Sequence, residues 1–305
     1  MRLLFPTLVS LSGVVLAFGV LWVLRWRSRH GRKRSPLTRD LLRAPGQSLR
    51  DQVEDITLSL VSDVMTLALV SSFAALALAM VDRPGRSAYA YPLVIILLAG
   101  AVIYFLISLS QQWRRRARLR LALDGEMATG EELNQLMLLS CHVYHDVPGD
   151  RFNIDHVVVG PAGVYAVETK TRAKGPRAGT EAAAVTYDGS VLRFPGWQDR
   201  ESLQQARRQA EWLQAWLTSA VGESVTARPV LALPGWFVDR KGSGDVIVCN
   251  PKNATFLARP RSERERLTPE LVQRITHQLE QRCRDVVPFS SRDLQPAPLR
   301  RNSPR

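Results

Sequence analysis

IDHVVVGPAGVYAVETK, residues 154–170, is the stretch on which the fold turns. It reads as a β-hairpin. Residues 154–159 and 164–170 are rich in β-branched side chains, and Gly160-Pro161-Ala162-Gly163 is a turn signal between them. With those four residues as the loop, Val159 pairs with Val164, and counting outward sets Asp155 opposite Glu168. Directly opposed residues share a face, with Cβ atoms roughly 4.5–5.5 Å apart. Alternation along the strand adds Lys170 to the face of Glu168. Like charges opposite each other destabilise a strand pair, and a hard divalent cation is the natural compensation. Mg²⁺ is commonly held by one or two carboxylates together with waters and substrate phosphates. A salt-bridged surface hairpin would carry the same three residues, so spacing alone leaves both readings open.

The surrounding residues add a likeness. Asp155 followed by Glu168-Thr169-Lys170 resembles the core of the PD-(D/E)XK nucleases. More narrowly, IDH, GPAGVY and ETK at this spacing are similar to the central motif of the nuclease-related domain, the NERD family. The similarity reaches upstream to Gly125-Glu126 and downstream to the helix carrying Gln205. It implies an α/β (α+β) domain with a restriction-endonuclease-like mixed β-sheet flanked by helices. It also implies Mg²⁺ (or Mn²⁺) held by Asp155, Glu168 and the Thr169 carbonyl, with Lys170 orienting water or stabilising the transition state. Glu126 and Gln205 would support that site. Glu131 and Glu132 compete for the place of Glu126, whose carboxylate could equally complement a helix dipole. Relatives often carry Asn-Pro before the helical glutamine, where this chain has Glu201-Ser202.

The chain has 305 residues and a formal net charge of +13. That charge suits an anionic partner, either nucleic acid or a membrane surface. Cys141, Cys249 and Cys283 show neither a disulfide framework nor metal-ligand spacing. Three apolar runs, at 3–24, 57–81 and 92–109, are long enough to span a bilayer. The first is followed by RWRSRHGRKR, as an anchor would be, and a lone Arg2 before it with no small-x-small cleavage site after it argues against the alternative of a removed signal peptide. The second and third read as a helical hairpin. Asp63, near one end of the second run, is expected at the interface. Arginines crowd the stretch after the first run and, at 114–120, the stretch after the third, whereas the hairpin tip holds only Arg83 and Arg86. The positive-inside rule then places the soluble domain on the cytoplasmic face of a plasma or inner membrane.

The expected organisation is a transmembrane helix at 1–24, a basic cytoplasmic loop at 25–56 and a transmembrane hairpin at 57–110. A NERD-like domain at 120–284 and a disordered basic tail at 285–305 complete it. Within the domain a helix is expected to open at Asp124-Gly125 and run to about Ser140, with a strand at 141–147. A second hairpin turns at Asp188-Gly189, a helix covers 199–218, short strands lie at 228–233 and 246–249, and Thr268-Pro269 caps a last helix. One face of the 199–218 helix carries Gln205, Gln209, Trp212 and Trp216. His142, His145 and His156 lack zinc spacing and are expected to be packed. Arg172, Lys174 and Arg177 follow the hairpin and could meet phosphates or simply be solvated. The resulting expectation is a membrane-anchored, metal-dependent nuclease acting on nucleic acid, DNA in preference to RNA, with the lipid bilayer as second partner. The alternative is a non-hydrolytic module on the same fold that binds nucleic acid or protein.

Overall fold

The computed structural model describes residues 41–81, 90–174, 183–260 and 266–284, with Gly19, Trp22 and Ser262 besides. The expected first span, the basic stretch at 25–40, the hairpin tip at 82–89, Arg177 and the tail at 285–305 lie outside the described residues. The chain divides into two compact units. One takes in Gly46–Ala128 and Lys170–Ala173; the other takes in Pro36–Pro45, Thr129–Thr169 and the residues from Lys174 onward.

The first unit is built from α1, Gln47–Val81, and most of α2, Ala90–Asn134. Both are long and apolar enough to cross a membrane. They run antiparallel. Asp63 Oδ2 accepts hydrogen bonds from Ser108 Oγ at 3.0 Å and Gln112 Nε2 at 2.6 Å, and Arg116 Nε donates to Thr57 Oγ1 at 2.8 Å. Asp63 is therefore an interhelical acceptor.

Two boundaries differ from the sequence expectation. Residues 47–56 are the first turns of α1, since no proline lies between Pro45 and the end of that helix and QSLRDQVEDI contains good helix formers. No helix starts at Asp124. α2 runs through it without a break, because an isolated glycine costs a helix only about 1 kcal/mol. Glu126 is thus in a helix interior, and a dipole role at an N-terminus does not apply to it.

The second unit holds two sheets flanked by helices. β1 (His142–Pro148), β2 (Asn153–Gly160) and β3 (Gly163–Thr169) are antiparallel neighbours. β7 (Ala227–Ala232) joins β3 in parallel and β9 (Ile247–Cys249) joins β7 in parallel, giving the order β1-β2-β3-β7-β9. Parallel pairing of β3 with β7 needs a crossover. It contains β4 (Ala184–Tyr187), β5 (Leu192–Phe194), β6 (Trp197–Asp199) and α3 (Glu201–Val221). β4, β5 and β6, with β8 (Phe237–Arg240), form the second sheet in the order β6-β5-β4-β8. The sequence does not announce β6 or β8, which are too short for a period to show.

Helices α3 and α4 (Pro269–Cys283) cover one face of the first sheet, where Leu213, Leu217, Ile275 and Leu279 meet Val157, Val159, Val164 and Ala166. Fully burying one such side chain contributes about 1.5–3 kcal/mol. Leu133, Leu136 and the 3₁₀ turns of Pro251–Ala258 cover the opposite face, against Val143, Val158 and Tyr165. Leu203 and Ala206 of α3 pack with the second sheet around Trp236. Thr268 caps α4 through a bond from Leu271 N to its Oγ1 at 3.2 Å. All three cysteines are free and buried, and burial raises the Cys249 and Cys283 thiols to about 12.

Candidate nuclease site

The hairpin has the register read from its sequence: Val159 pairs with Val164 and His156 with Val167. The loop is tighter than expected. Gly160 and Gly163 close as a final pair, leaving Pro161-Ala162 as the turn. Gly163 sits at φ +127°, a conformation that L side chains rarely adopt. An added pair at the turn leaves the outward count unchanged, so Asp155 still falls opposite Glu168. The paired register itself ends at His156 and Val167, one step short of these two, and Thr169 N donates to Asp155 Oδ2 at 2.7 Å.

The neighbouring strand marks the same level. Asp146 falls opposite Asp155, and no β1–β2 pair forms at that position. Asp146 has a φ of +49°. Beyond it Val147 and Ile154 bury with Tyr144 and Val157, which strict alternation would forbid. The left-handed residue reverses the face of the strand. Asp146 is 3% exposed and is held by Arg43 and by Asn153.

Glu168 is 2% exposed and pairs with Leu231 of β7. Its Oε2 accepts a hydrogen bond from Gln209 Nε2 at 2.6 Å, and the same nitrogen lies 3.3 Å from the Asn153 carbonyl oxygen. Gln209 Oε1 and Thr169 Oγ1 are buried without a hydrogen-bond partner. Gln205 is half-buried one helical turn earlier. The glutamine that meets the carboxylate is therefore Gln209. Both lie on one stripe of α3, so only their positions along the axis separate them. Further along that stripe Trp212 and Trp216 stack with centroids 6.0 Å apart, and Arg282 lies over both rings.

Lys170 is half-buried, the first residue past β3, and counts with the first unit. Glu126 belongs to that unit as well and is 9% exposed. Beside it Gly125 presses on Thr171, so closely that a Cβ at 125 would overlap Thr171 Oγ1. The structure thus gathers Asp155, Glu168, Thr169 and Gln209 in one unit, and brings the helix turn at Gly125 to the residues just past Lys170 in the other.

Sequence reasoning missed Gln209, Asn153, Asp146 and Arg43. The Gln205/Gln209 stripe was the one signal that could have found any of them.

His145 and His156 bond to each other, Nδ1 to Nδ1 at 2.8 Å, and His145 Nε2 lies 3.0 Å from Asn134 Oδ1. Burial pushes His145 down to about 4, and burial together with His145 pushes His156 well below its ordinary value. Both rings are neutral near pH 7 and occupied with one another. Among the described residues no group of three or more His, Cys, Asp or Glu side chains is placed to hold a metal ion. Arg207 is engaged with Asp245 at 2.6 Å.

No curated protein and no solved structure matches the chain. A family model does, and its span runs from α2 through the hairpin and α3 to the end of β7, taking in Glu126, Asp146, Asn153, Asp155, Glu168, Thr169, Lys170, Gln205 and Gln209. The model that matches residues 122–234 is that of NERD, the nuclease-related domain, and over that stretch the chain is similar to it.

Proposed function

We propose that the chain is a membrane-anchored nuclease that hydrolyses phosphodiester bonds of DNA, or secondarily of RNA, on the cytoplasmic face of a membrane. The observation that carries this reading is the two held carboxylates at the open end of the hairpin, Asp155 accepting from Thr169 N–H and Glu168 from Gln209 Nε2. The donors there suit Mg²⁺ or Mn²⁺. They are all oxygens: Asp155, Glu168 and the Thr169 carbonyl, beside a Gln209 Oε1 that is buried without a partner. Hard divalent cations take such oxygen sets, and two carboxylates leave room for water and phosphate. When bound, the ion would supply Lewis-acid stabilisation of the phosphate and a more acidic water.

The chain's own residues would do the rest. Thr169 N–H and Gln209 Nε2 fix the orientation of the two carboxylates. The resemblance assigns Lys170 the charge that develops on the phosphate, and Glu126 a supporting acid. Membrane anchoring is supported by the apolar lengths of α1 and α2. The cytoplasmic orientation is supported by Arg114, Arg115, Arg116, Arg118 and Arg120, which lie within α2 just past its apolar run at 92–109.

The test uses the full chain in detergent with labelled circular and linear DNA, and RNA, in Mg²⁺, Mn²⁺ or EDTA. Metal-dependent cutting that is lost in Glu168→Gln and Lys170→Met supports the reading and identifies the polymer. No cutting in either metal, with DNA retention unchanged in EDTA, would replace it with a non-hydrolytic binding module.

A further inference from the structure

We infer that Arg43, far upstream of the nuclease-related stretch, is a positioning residue for Glu168. Four hydrogen-bonded links connect the two, all within the second unit. Arg43 grips Asp146 Oδ2 with Nε at 2.9 Å and with its terminal nitrogen at 2.7 Å. The other oxygen, Asp146 Oδ1, accepts from Asn153 Nδ2 at 2.8 Å. The Asn153 carbonyl accepts from Gln209 Nε2 at 3.3 Å, and that amide donates to Glu168 Oε2 at 2.6 Å.

The anchorage of Arg43 is independent of the ion pair. Its backbone N–H donates to the Cys283 carbonyl at 3.1 Å, and Leu42 bridges antiparallel to Arg284. Pro45 packs so closely on Gly130 that a Cβ there would lie 2.7 Å from Pro45 Cγ. A segment that precedes α1 in the chain is thereby an integral strut of the second unit. Asp146 explains why a strut is needed. It is a non-glycine residue at positive φ, a conformation that persists where the surroundings over-determine it. The guanidinium, with two nitrogens on one oxygen of a carboxylate 3% exposed, supplies that constraint. It fixes Asn153 at the start of β2, and through Asn153 and Gln209 the rotamer of Glu168. The catalytic consequence rests on the nuclease reading; the positioning itself does not.

The experiment uses the full chain in detergent micelles and follows the Gln209 side-chain amide resonances by NMR, assigned by their loss in Gln209→Leu. Arg43→Ala and Asn153→Ala are each expected to shift them, with Arg43→Lys intermediate because an ammonium cannot form the fork. Asn153→Ala decides the matter if Arg43→Ala melts before it can be measured. In parallel, the wild type is expected to cleave DNA, and both alanine variants to lose kcat on the order of 10-fold at unchanged KM. Gln209 resonances unmoved in both folded variants overturn the inference. Resonances that move in a wild-type protein that never cleaves keep the positioning and overturn only the nuclease reading.

Discussion

Gln209 reaches Glu168 from the middle of α3, Nε2 to Oε2 at 2.6 Å, and so ties a helix to the carboxylate at the end of β3. Glu168 is 2% exposed. A carboxylate so buried depends on its hydrogen bonds for both its energy and its direction.

Gln209→Leu removes that donor at nearly constant volume. We expect a stability loss of about 1–3 kcal/mol and, on the proposed nuclease reading, a kcat loss on the order of 10-fold or more, because the carboxylate loses the amide that orients it. Gln205→Leu, one turn earlier, should fall within about 0.5 kcal/mol of the parent. Thermal melts and cleavage rates of the two variants side by side check this. Equal effects would mean that Gln205, as the family likeness suggested, shares the work.

Gly125→Ala separates helix propensity from packing. In an open helix the change would stabilise by about 1 kcal/mol. Here the added Cβ meets Thr171 Oγ1, and overpacking of this kind costs about 1–3 kcal/mol. A lower melting temperature is therefore expected, recovered in part by adding Thr171→Gly. A rise in melting temperature for Gly125→Ala alone would place Thr171 elsewhere.

These two sites also show how far the sequence could be read. The hairpin register was legible because β-branched alternation and the glycines at both ends of the turn leave few pairings, and closing one more pair at Gly160 and Gly163 does not move it. The covering helices were legible from their periodicity, and strands β7 and β9 from short apolar runs. The uninterrupted α2 was not, since Asp124-Gly125 looks like a start and only packing outweighs the glycine cost. Gln209 could not be told from Gln205, because one face of a helix carries both. Arg43 and Asp146 are 103 residues apart, and no local pattern connects them.

The histidine pair predicts a pH dependence of stability. His145 is held at about 4 in the fold against an ordinary 6.5, and His156 is also lowered, in both cases first by burial. The unfolded chain therefore binds more protons than the fold between pH 6.5 and about 4, so stability rises with pH across that window and is lost as pH falls. For His145 alone the full span is on the order of 3 kcal/mol. Melting temperatures measured from pH 7 to 4 should drop less steeply in His145→Gln than in the wild type. Parallel curves would show that folding does not lower the affinity of His145 for its proton.

Asp63 makes the last case, because two donors from the facing helix meet it. Ser108 Oγ and Gln112 Nε2 both converge on its Oδ2, and Gln112 Nε2 also lies 2.9 Å from Ser108 Oγ. An apolar environment offers these donors no water in exchange, though measured interhelical hydrogen bonds contribute only about 0.6 kcal/mol on average and up to about 1.7 kcal/mol. Asp63→Asn keeps an oxygen acceptor at the same place and should leave the α1–α2 pair near its original stability. Asp63→Leu removes the acceptor and should lower it by about 1–2 kcal/mol, read as earlier separation of the two helices in a detergent titration with labels on each. If Asn and Leu behave alike, the polar cluster contributes nothing to pairing, and the apolar contacts between α1 and α2 hold the hairpin alone.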